Sequence, residues 1–290
     1  MFSVIIPTFN NINYLKLCIK SLQKNSKFDH ELIFHVNEGT DGTLDYLKGH
    51  NYKFSFSPIN AGVCVAFNQA VSLAQKKYVL LGHDDMYFCP RWDEFLVKEL
   101  NSIPKNKDFF LSGTMVQPFS SYIELNCGKT YLDFDENKLL KEVNNISFQD
   151  FQGSHWQPTL ISKKTWDKVG GFSEEFSPGL GSDPDFNMKL WNSGVRIFKG
   201  LGKSRVYHFS SVSLRKKAWN NGARTFLLKW GITIKFFKKF YLKSDTKYTG
   251  PLEEPQKSFF YFVSLFLCKL SLIYTKYIYS TTNKIINKNE

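Results

Sequence analysis

The sequence predicts an α/β protein, with a mostly parallel central sheet flanked by helices and a basic helical extension after it. Three observations carry this. Short apolar, β-branched runs alternate with segments of helical period through residues 2–81. The connections between them are short, as strand–helix–strand crossovers require. Charge is also unevenly divided: residues 1–198 hold 20 Lys and Arg against 22 Asp and Glu, whereas residues 199–290 hold 18 against 4. The net charge of +12 therefore belongs to the last third, and we divide the chain into a near-neutral body, 1–215, and a basic tail, 216–290.

The elements follow in order. Phe2–Pro7 reads as a strand, and Asn10–Asn11 supplies a turn and helix cap. Tyr14, Leu15, Cys18, Ile19 and Leu22 recur at helical spacing and predict a helix over 11–24. Leu32–Val36 is a second strand, followed by the polar turn NEGTDGT and a short helix to Leu47. Lys53–Phe56 is a third strand. A helix from Gly62 to Gln75 leads to a fourth, Tyr78–Leu81, which runs into His83-Asp84-Asp85. Phe109–Val116 and Thr159–Ser162 are further strands, while 119–150 is polar and poorly periodic. Lys163–Val169 reads as a helical turn broken by Gly170-Gly171. Ser182-Asp183-Pro184-Asp185 opens a helix over Phe186–Asn192, and Val195–Phe198 and Val206–His208 are separate short strands.

Composition bounds the function. With 42% apolar and 22% charged residues, bulk disorder is excluded. Five scattered cysteines without a Cys-x-x-Cys pair argue against a disulfide scaffold or a thiolate zinc site and for a reducing compartment. The opening MFSVIIPTFN lacks a basic n-region, so no signal peptide is expected. The first strand is not followed by Gly-x-Gly-x-x-Gly, which disfavours a dinucleotide-binding oxidoreductase.

In parallel sheets ligands bind beyond the carboxyl ends of the strands. Polar clusters fall at four such ends: Thr8–Asn10, Asn37–Asp41, Asn60 and His83–Asp85. Adjacent carboxylates such as Asp84 and Asp85 repel unless a cation lies between them, and a hard divalent ion completed by phosphate oxygens is a common solution. Asp183 and Asp185 form a second acidic pair at a helix start, where the ionised form is favoured. Each of these also has a purely structural reading, as turn, cap or surface residue. A cleft this acidic repels nucleic-acid phosphate, so no nucleic-acid partner is expected despite the positive net charge.

Five ordered blocks, SVIIPTFNNINYLKLCIKSL, NEGTDGT, NAGVCVAFNQAV, LLGHDDM and GGFSEEF…GSDPDFNMKLWNSG, resemble those of the family 2 nucleotide-sugar glycosyltransferases, which have a GT-A fold. The resemblance runs from Ser3 to about His208. It implies inverting transfer of a sugar from a nucleoside diphosphate to an acceptor hydroxyl on a glycan, polysaccharide or lipid-linked saccharide. By family position Asp183 would be the catalytic base, with Asp185 in support. Asp85 and His208 would hold a divalent cation, Mn or Mg. Pro7, Thr8, Phe9, Glu38, Asn60 and Asp84 would line the nucleotide pocket, and Trp156, Gly171 and Phe172 would face the acceptor. The chain departs from the family pattern at His83, where an aspartate is usual, at Phe67 in place of an arginine, and at Ser182 in place of a glutamate. The Gln-x-x-Arg-Trp run of processive synthases is absent, which implies single addition. The alternatives are a degenerate relative that binds a nucleotide sugar without turnover and, ranked below it, a basic nucleic-acid-binding protein.

In the tail, Phe226, Trp230, Ile234, Phe237 and Tyr241 recur at helical steps and predict one amphipathic basic helix over 224–243. Gly250-Pro251 breaks it. The apolar run Ser258–Cys268 is 11 residues, short of the roughly 20 that span a bilayer. The expectation is in-plane membrane association through 224–280, on the cytoplasmic inner face, with packing on the body or a homo-oligomer interface as alternatives.

Overall fold

The structure, a computed structural model, describes residues 1–119, 121–153, 157–209 and 220–286. In chain order the elements are β1 (Ser3–Phe9), α1 (Ile12–Asn25), β2 (Glu31–Asn37), α2 (Thr43–Gly49), β3 (Lys53–Ser57), α3 (Val63–Ser72), β4 (Tyr78–Leu81), β5 (Met86–Phe88) and α4 (Trp92–Ser102). Then come β6 (Phe109–Gln117), β7 (Ile123–Glu124), α5 (Glu136–Glu142), β8 (Phe151–Gln152), β9 (Thr159–Ser162), α6 (Lys163–Val169), α7 (Ser182–Asn192) and β10 (Ile197–His208). The chain finishes with α8 (Gly222–Trp230), α9 (Ile234–Phe240) and α10 (Phe259–Ile286).

The strands form one mixed, mostly parallel sheet in the order β3-β2-β1-β4-β9-β6-β10-β5, with β7 on β6 and β8 on β10. β3, β2, β1 and β4 are parallel, whereas β9 runs antiparallel between β4 and β6. Side chains alternate between the two faces. Val4 and Ile6 pack with Leu15, Ile19, Trp92 and Leu96 of α1 and α4, while Ile5 packs with Phe67, Val71 and Phe186 of α3 and α7.

Two expectations change here. The strands foreseen at 195–198 and 206–208 are one bulged strand, β10, whose register on β6 shifts between Gly200 and Arg205. Its far half turns toward β5, pairing His208 with Met86, and so carries His208 to the end of β4. The stretch 119–150 is not loose. Tyr87, Leu139, Val143, Tyr207 and Phe209 make a third apolar cluster, and the buried Arg205 guanidinium donates to the carbonyls of Val143 and of Ile146 (2.6 Å).

The tail departs further from expectation. The helix foreseen at 224–243 is two, because Gly231 takes a left-handed conformation (φ 71°) at the end of α8 and Thr233 caps α9 by accepting from Phe236 N (3.1 Å). Phe226, Phe236 and Phe237 are buried in the same core as Phe186 and Trp191. Burial of each is worth about 1.5–3 kcal/mol, a large share of the ~5–15 kcal/mol that holds a typical domain together. α8 and α9 therefore pack in the same core as α7. α10 is a continuous helix of 28 residues, and its stretch Phe259–Ile278 is long and apolar enough to cross a membrane by length and composition. One side, Tyr261, Leu265 and Cys268, packs on the core. The other exposes Phe259, Phe262, Phe266, Leu270, Ile273 and Tyr277.

Candidate functional site

A cleft of about 800 Å³ opens at the carboxyl ends of β1, β4 and the antiparallel end of β10. Pro7, Thr8 and Phe9 leave β1 along one wall, and Asn60 closes that side, its Oδ1 accepting from Gly62 N (3.0 Å) at the start of α3. Gly82 lets β4 turn into the cleft, since a Cβ there would lie 3.0 Å from Ile6 Cδ1 and 3.2 Å from Phe88. His83, Asp84 and Asp85 follow as part of the lining.

Asp84 is buried, and burial first and the neighbouring Asp85 second push its carboxyl above the usual range. Thr8 and Asn11 lie close enough to pull it partly back. They do not reach hydrogen-bond geometry, however: Thr8 Oγ1, Asn11 Nδ2 and Asp84 Oδ2 are all buried without partners among the described residues. Asp85 Oδ1 is 3.3 Å from His208 Nε2, and Gln117 Nε2 lies 2.7 Å from His208 Nδ1. Burial works against a charged His208, but Asp85 and then Asp84 outweigh it and raise its pKa. His83, in contrast, is held neutral by burial and packs edge-on to Phe67, with ring centroids 5.7 Å apart.

Asp183 stands in the first turn of α7 and faces the same cleft. The Gln157 amide donates to its Oδ1 (2.6 Å). Burial pushes the Asp183 carboxyl up to about 7 despite that bond. Asp185, two residues on, points away from the cleft into the core, where its Oδ1 accepts from Trp230 Nε1 (2.8 Å) and Lys229 Nζ (2.9 Å). Its support is mechanical, tying α7 to α8.

That tie is one of several. Asn220 donates to the carbonyls of Phe176 and Leu180 (both 3.0 Å) and accepts from Leu180 N (3.1 Å). At Gly222 a Cβ would meet Leu180 O at 1.8 Å, so only glycine lets α8 seat against the loop that presents Asp183. Residues assigned to the tail thus position the acidic motif, and Ile234 and Lys238 of α9 line the cleft directly.

The other expected site residues are distributed unevenly. Phe172 is buried among Phe67, Trp166 and Phe186, and Asn68 clamps it by donating to its carbonyl and accepting from its N–H (both 2.9 Å). Gly171 is pressed against Asn68 and Trp166. Neither is among the residues that line the cleft. The Gly-Gly-Phe signal marks a left-handed turn plugging the core. Glu38 takes a hydrogen bond from Asn10 (3.3 Å) and also lies off the cleft wall. Trp156 lies outside the described residues. Gln157, Gln117, Tyr122 and Lys238 line the cleft without having been singled out as site residues, for isolated polar residues carry no pattern that periodicity or motif spacing detects.

Among the described residues no three His, Cys, Asp or Glu side chains are grouped to hold a metal ion by themselves. The donors present still fit a hard cation completed from outside: one carboxylate and one imidazole in contact, beside a second carboxylate with an unpartnered oxygen. Rotating the Gln117 amide would present its oxygen to His208 Nδ1–H and free Nε2 as a ligand.

Comparison with known proteins gives a consistent family and fold. The family model described as Glycosyl transferase family 2 matches residues 3–150. The hyaluronan synthase of Pasteurella multocida is 27% identical over 223 residues, covering 74% of this chain and 21% of that protein. The chain thus spans about a fifth of the length of that curated relative. Among solved structures, S. aureus TarS 1–349 superposes with a TM-score of 0.59 at 17% identity, over 97% of this chain and 73% of that one. The same fragment in complex with UDP-GlcNAc gives 0.58 at 17%, over 85% and 68%. At such identity the likeness establishes the GT-A fold.

Proposed function

This chain belongs to glycosyl transferase family 2 and is a glycosyltransferase, and from that premise we propose that it moves a sugar from a nucleoside-diphosphate sugar to an acceptor hydroxyl by single, inverting addition. The observation that carries the proposal is the placement of Asp183, oriented by Gln157, in the same cleft as Asp84, Asp85 and His208 at the carboxyl ends of the strands. The complex of TarS with UDP-GlcNAc supports a nucleotide sugar as the donor class. The absence of Gln-x-x-Arg-Trp supports single addition.

In the proposed step the acceptor oxygen attacks the anomeric carbon while the bond from that carbon to the diphosphate oxygen breaks. The electron pair of the broken bond leaves with the nucleoside diphosphate, and Asp183 takes the acceptor's proton. Gln157 fixes the carboxylate so that one oxygen stays directed at the acceptor. Asp85 and His208 would hold a divalent cation, Mn or Mg, whose chemistry would be to neutralise charge on the departing diphosphate. Pro7, Thr8, Phe9, Asn60 and Asp84 would bound the nucleotide. A thermal-shift panel of UDP-, GDP-, ADP- and dTDP-sugars with Mn²⁺ tests the donor. One of them at a hundredfold over its Kd should raise Tm by about 5 °C; no shift from any member, with or without Mn²⁺, overturns the assignment.

The proposal extends to location. One face of α10 is fixed on the core and the other is apolar and aromatic, so an in-plane seat on an anionic membrane surface suits it better than a free span. Co-sedimentation with phosphatidylglycerol vesicles should be strong for the full chain and largely lost in Phe262→Glu/Phe266→Glu. Equal partitioning of the two proteins would refute the membrane seat.

A further inference from the structure

A second cavity, of about 600 Å³, adjoins the cleft, and the two share Ile234 and Lys238 of α9. Its walls carry Lys235, Lys238, Lys239 and Lys243 against one carboxylate, Asp245. That carboxylate is engaged. The Tyr122 hydroxyl donates to Asp245 Oδ1, and Lys238 Nζ lies 4.0 Å from Oδ2. Because Tyr122 itself lines the cleft, this contact marks where the two cavities meet. Among the described residues no carboxylate lies within ion-pair distance of Lys235, Lys239 or Lys243. The Ser244 hydroxyl, in the same wall, is buried without a hydrogen-bond partner among them.

Lysines on a short helix usually form a solvated convex face. Here Lys235, Lys239 and Lys243 are exposed and Lys238 is half-buried, yet all four border one shallow concavity, and that concavity adjoins the cleft that holds Asp183. Lys235 stands three and four residues from Lys238 and Lys239, spacings at which like charges on a helix repel one another. A bound anion relieves that repulsion. Lysine ammonium groups are mobile point charges without a fixed fork, which suits anionic groups repeated along a flexible chain.

We infer that this groove receives the acceptor, and that the acceptor is an anionic saccharide bearing carboxylate, phosphate or sulfate groups. The inference rests on reading the cleft as a sugar-transfer site. Its base, Asp183, stands in the cleft that the groove joins, so a saccharide lying along α9 would bring its terminal hydroxyl toward that carboxylate. The surplus of positive charge selects the class of acceptor and speeds its encounter more than it adds tightness.

The test uses the full chain and a matched pair of probes, tetragalacturonate and its neutral methyl ester, with binding read by titration calorimetry at low salt. Tetragalacturonate should bind about tenfold more tightly than the ester and weaken as salt rises. Lys239→Glu/Lys243→Glu should lose about tenfold of that affinity. Lys105→Glu/Lys107→Glu, an equal charge change on the exposed turn before β6 at the opposite rim, should keep it. Equal binding of acid and ester, or full affinity in Lys239→Glu/Lys243→Glu, overturns the groove. So does a variant that loses phosphatidylglycerol vesicle binding while still holding the saccharide, since the lysines would then serve a lipid surface. The donor thermal shift on the same preparation separates the two claims. A donor shift without saccharide selectivity defeats the groove alone, whereas no donor shift defeats the transfer reading beneath it.

Discussion

Asp183→Asn is expected to lower the transfer rate by about 10²- to 10⁴-fold, the range over which a positioned general base acts, while donor affinity stays within about twofold. The substitution is close to isosteric, and the Asn carbonyl oxygen can still accept from Gln157, so the 2.6 Å contact that orients residue 183 survives. What disappears is the ability to take a proton. The pH profile carries a second signature. With the carboxyl pushed up to about 7 by burial, only the ionised fraction is a base, so the wild-type rate should climb as pH rises toward 7 and level off above it. The residual rate of the variant should lack that limb. Stability provides an internal control. A carboxyl whose folded pKa is raised stabilises the fold at low pH and loses that contribution as pH rises through the folded value. At pH 8 the wild type carries the full penalty of an ionised buried group, and the neutral amide does not. The variant should therefore melt no lower than wild type at pH 8, which separates a lost base from a lost fold. A transfer rate within threefold of wild type would remove Asp183 from the role of base.

Asp85→Ala should abolish the Mn²⁺-dependent part of donor binding and leave a weak, metal-independent remainder. Asp85 lies 3.3 Å from His208 and beside the unpartnered Asp84 oxygen. With His83 held neutral by burial, Asp85 is the carboxylate we propose to hold the cation. Outer-shell partners of metal ligands already cost about 10–100-fold in affinity when removed, so loss of a direct ligand should cost at least about a hundredfold. Titrations with and without Mn²⁺ read the effect. Donor binding that is unchanged in the variant, or insensitive to Mn²⁺ in the wild type, would take the cation out of this site. The surface contribution of the nucleotide pocket, through Thr8, Phe9 and Asn60, should persist in either case.

The order of β1 to β4 was legible because parallel strands buried on both faces read as apolar runs, and turn signals such as Asn10 and Asn60 bracket the helices between them. The ends of those strands gave Thr8, Asn60 and Asp84–Asp85 directly. Asp183 was legible because an aspartate before a proline at a helix start is both a fold signal and a chemical one. Long-range packing was not. A bulge keeps β10 continuous across a glycine-rich stretch that reads as two strands. The aromatic period of the tail runs unbroken across Gly231, so one helix was foreseen where Gly231 and Thr233 make two. Glu38, Gly171 and Phe172 carry the resemblance in sequence, yet their side chains or backbones are engaged off the cleft, by Asn10, Asn68 and Trp166. Gln157 and Lys238 reach it through contacts 26 residues away in sequence and from the tail, respectively, which no local pattern encodes.

Donor hydrolysis, with water in place of the acceptor, reads sugar transfer at this cleft without the natural acceptor or its linkage. Proton NMR of the full chain with Mn²⁺ and the nucleotide sugar that gives the largest thermal shift follows diphosphate release and the anomeric configuration of the sugar first set free. Wild type should release the sugar with inverted configuration, and Asp183→Asn and Asp85→Ala should each slow that release by at least about a hundredfold. Release at the wild-type rate by both variants, or a product of retained configuration, would contradict a transfer site built on these residues.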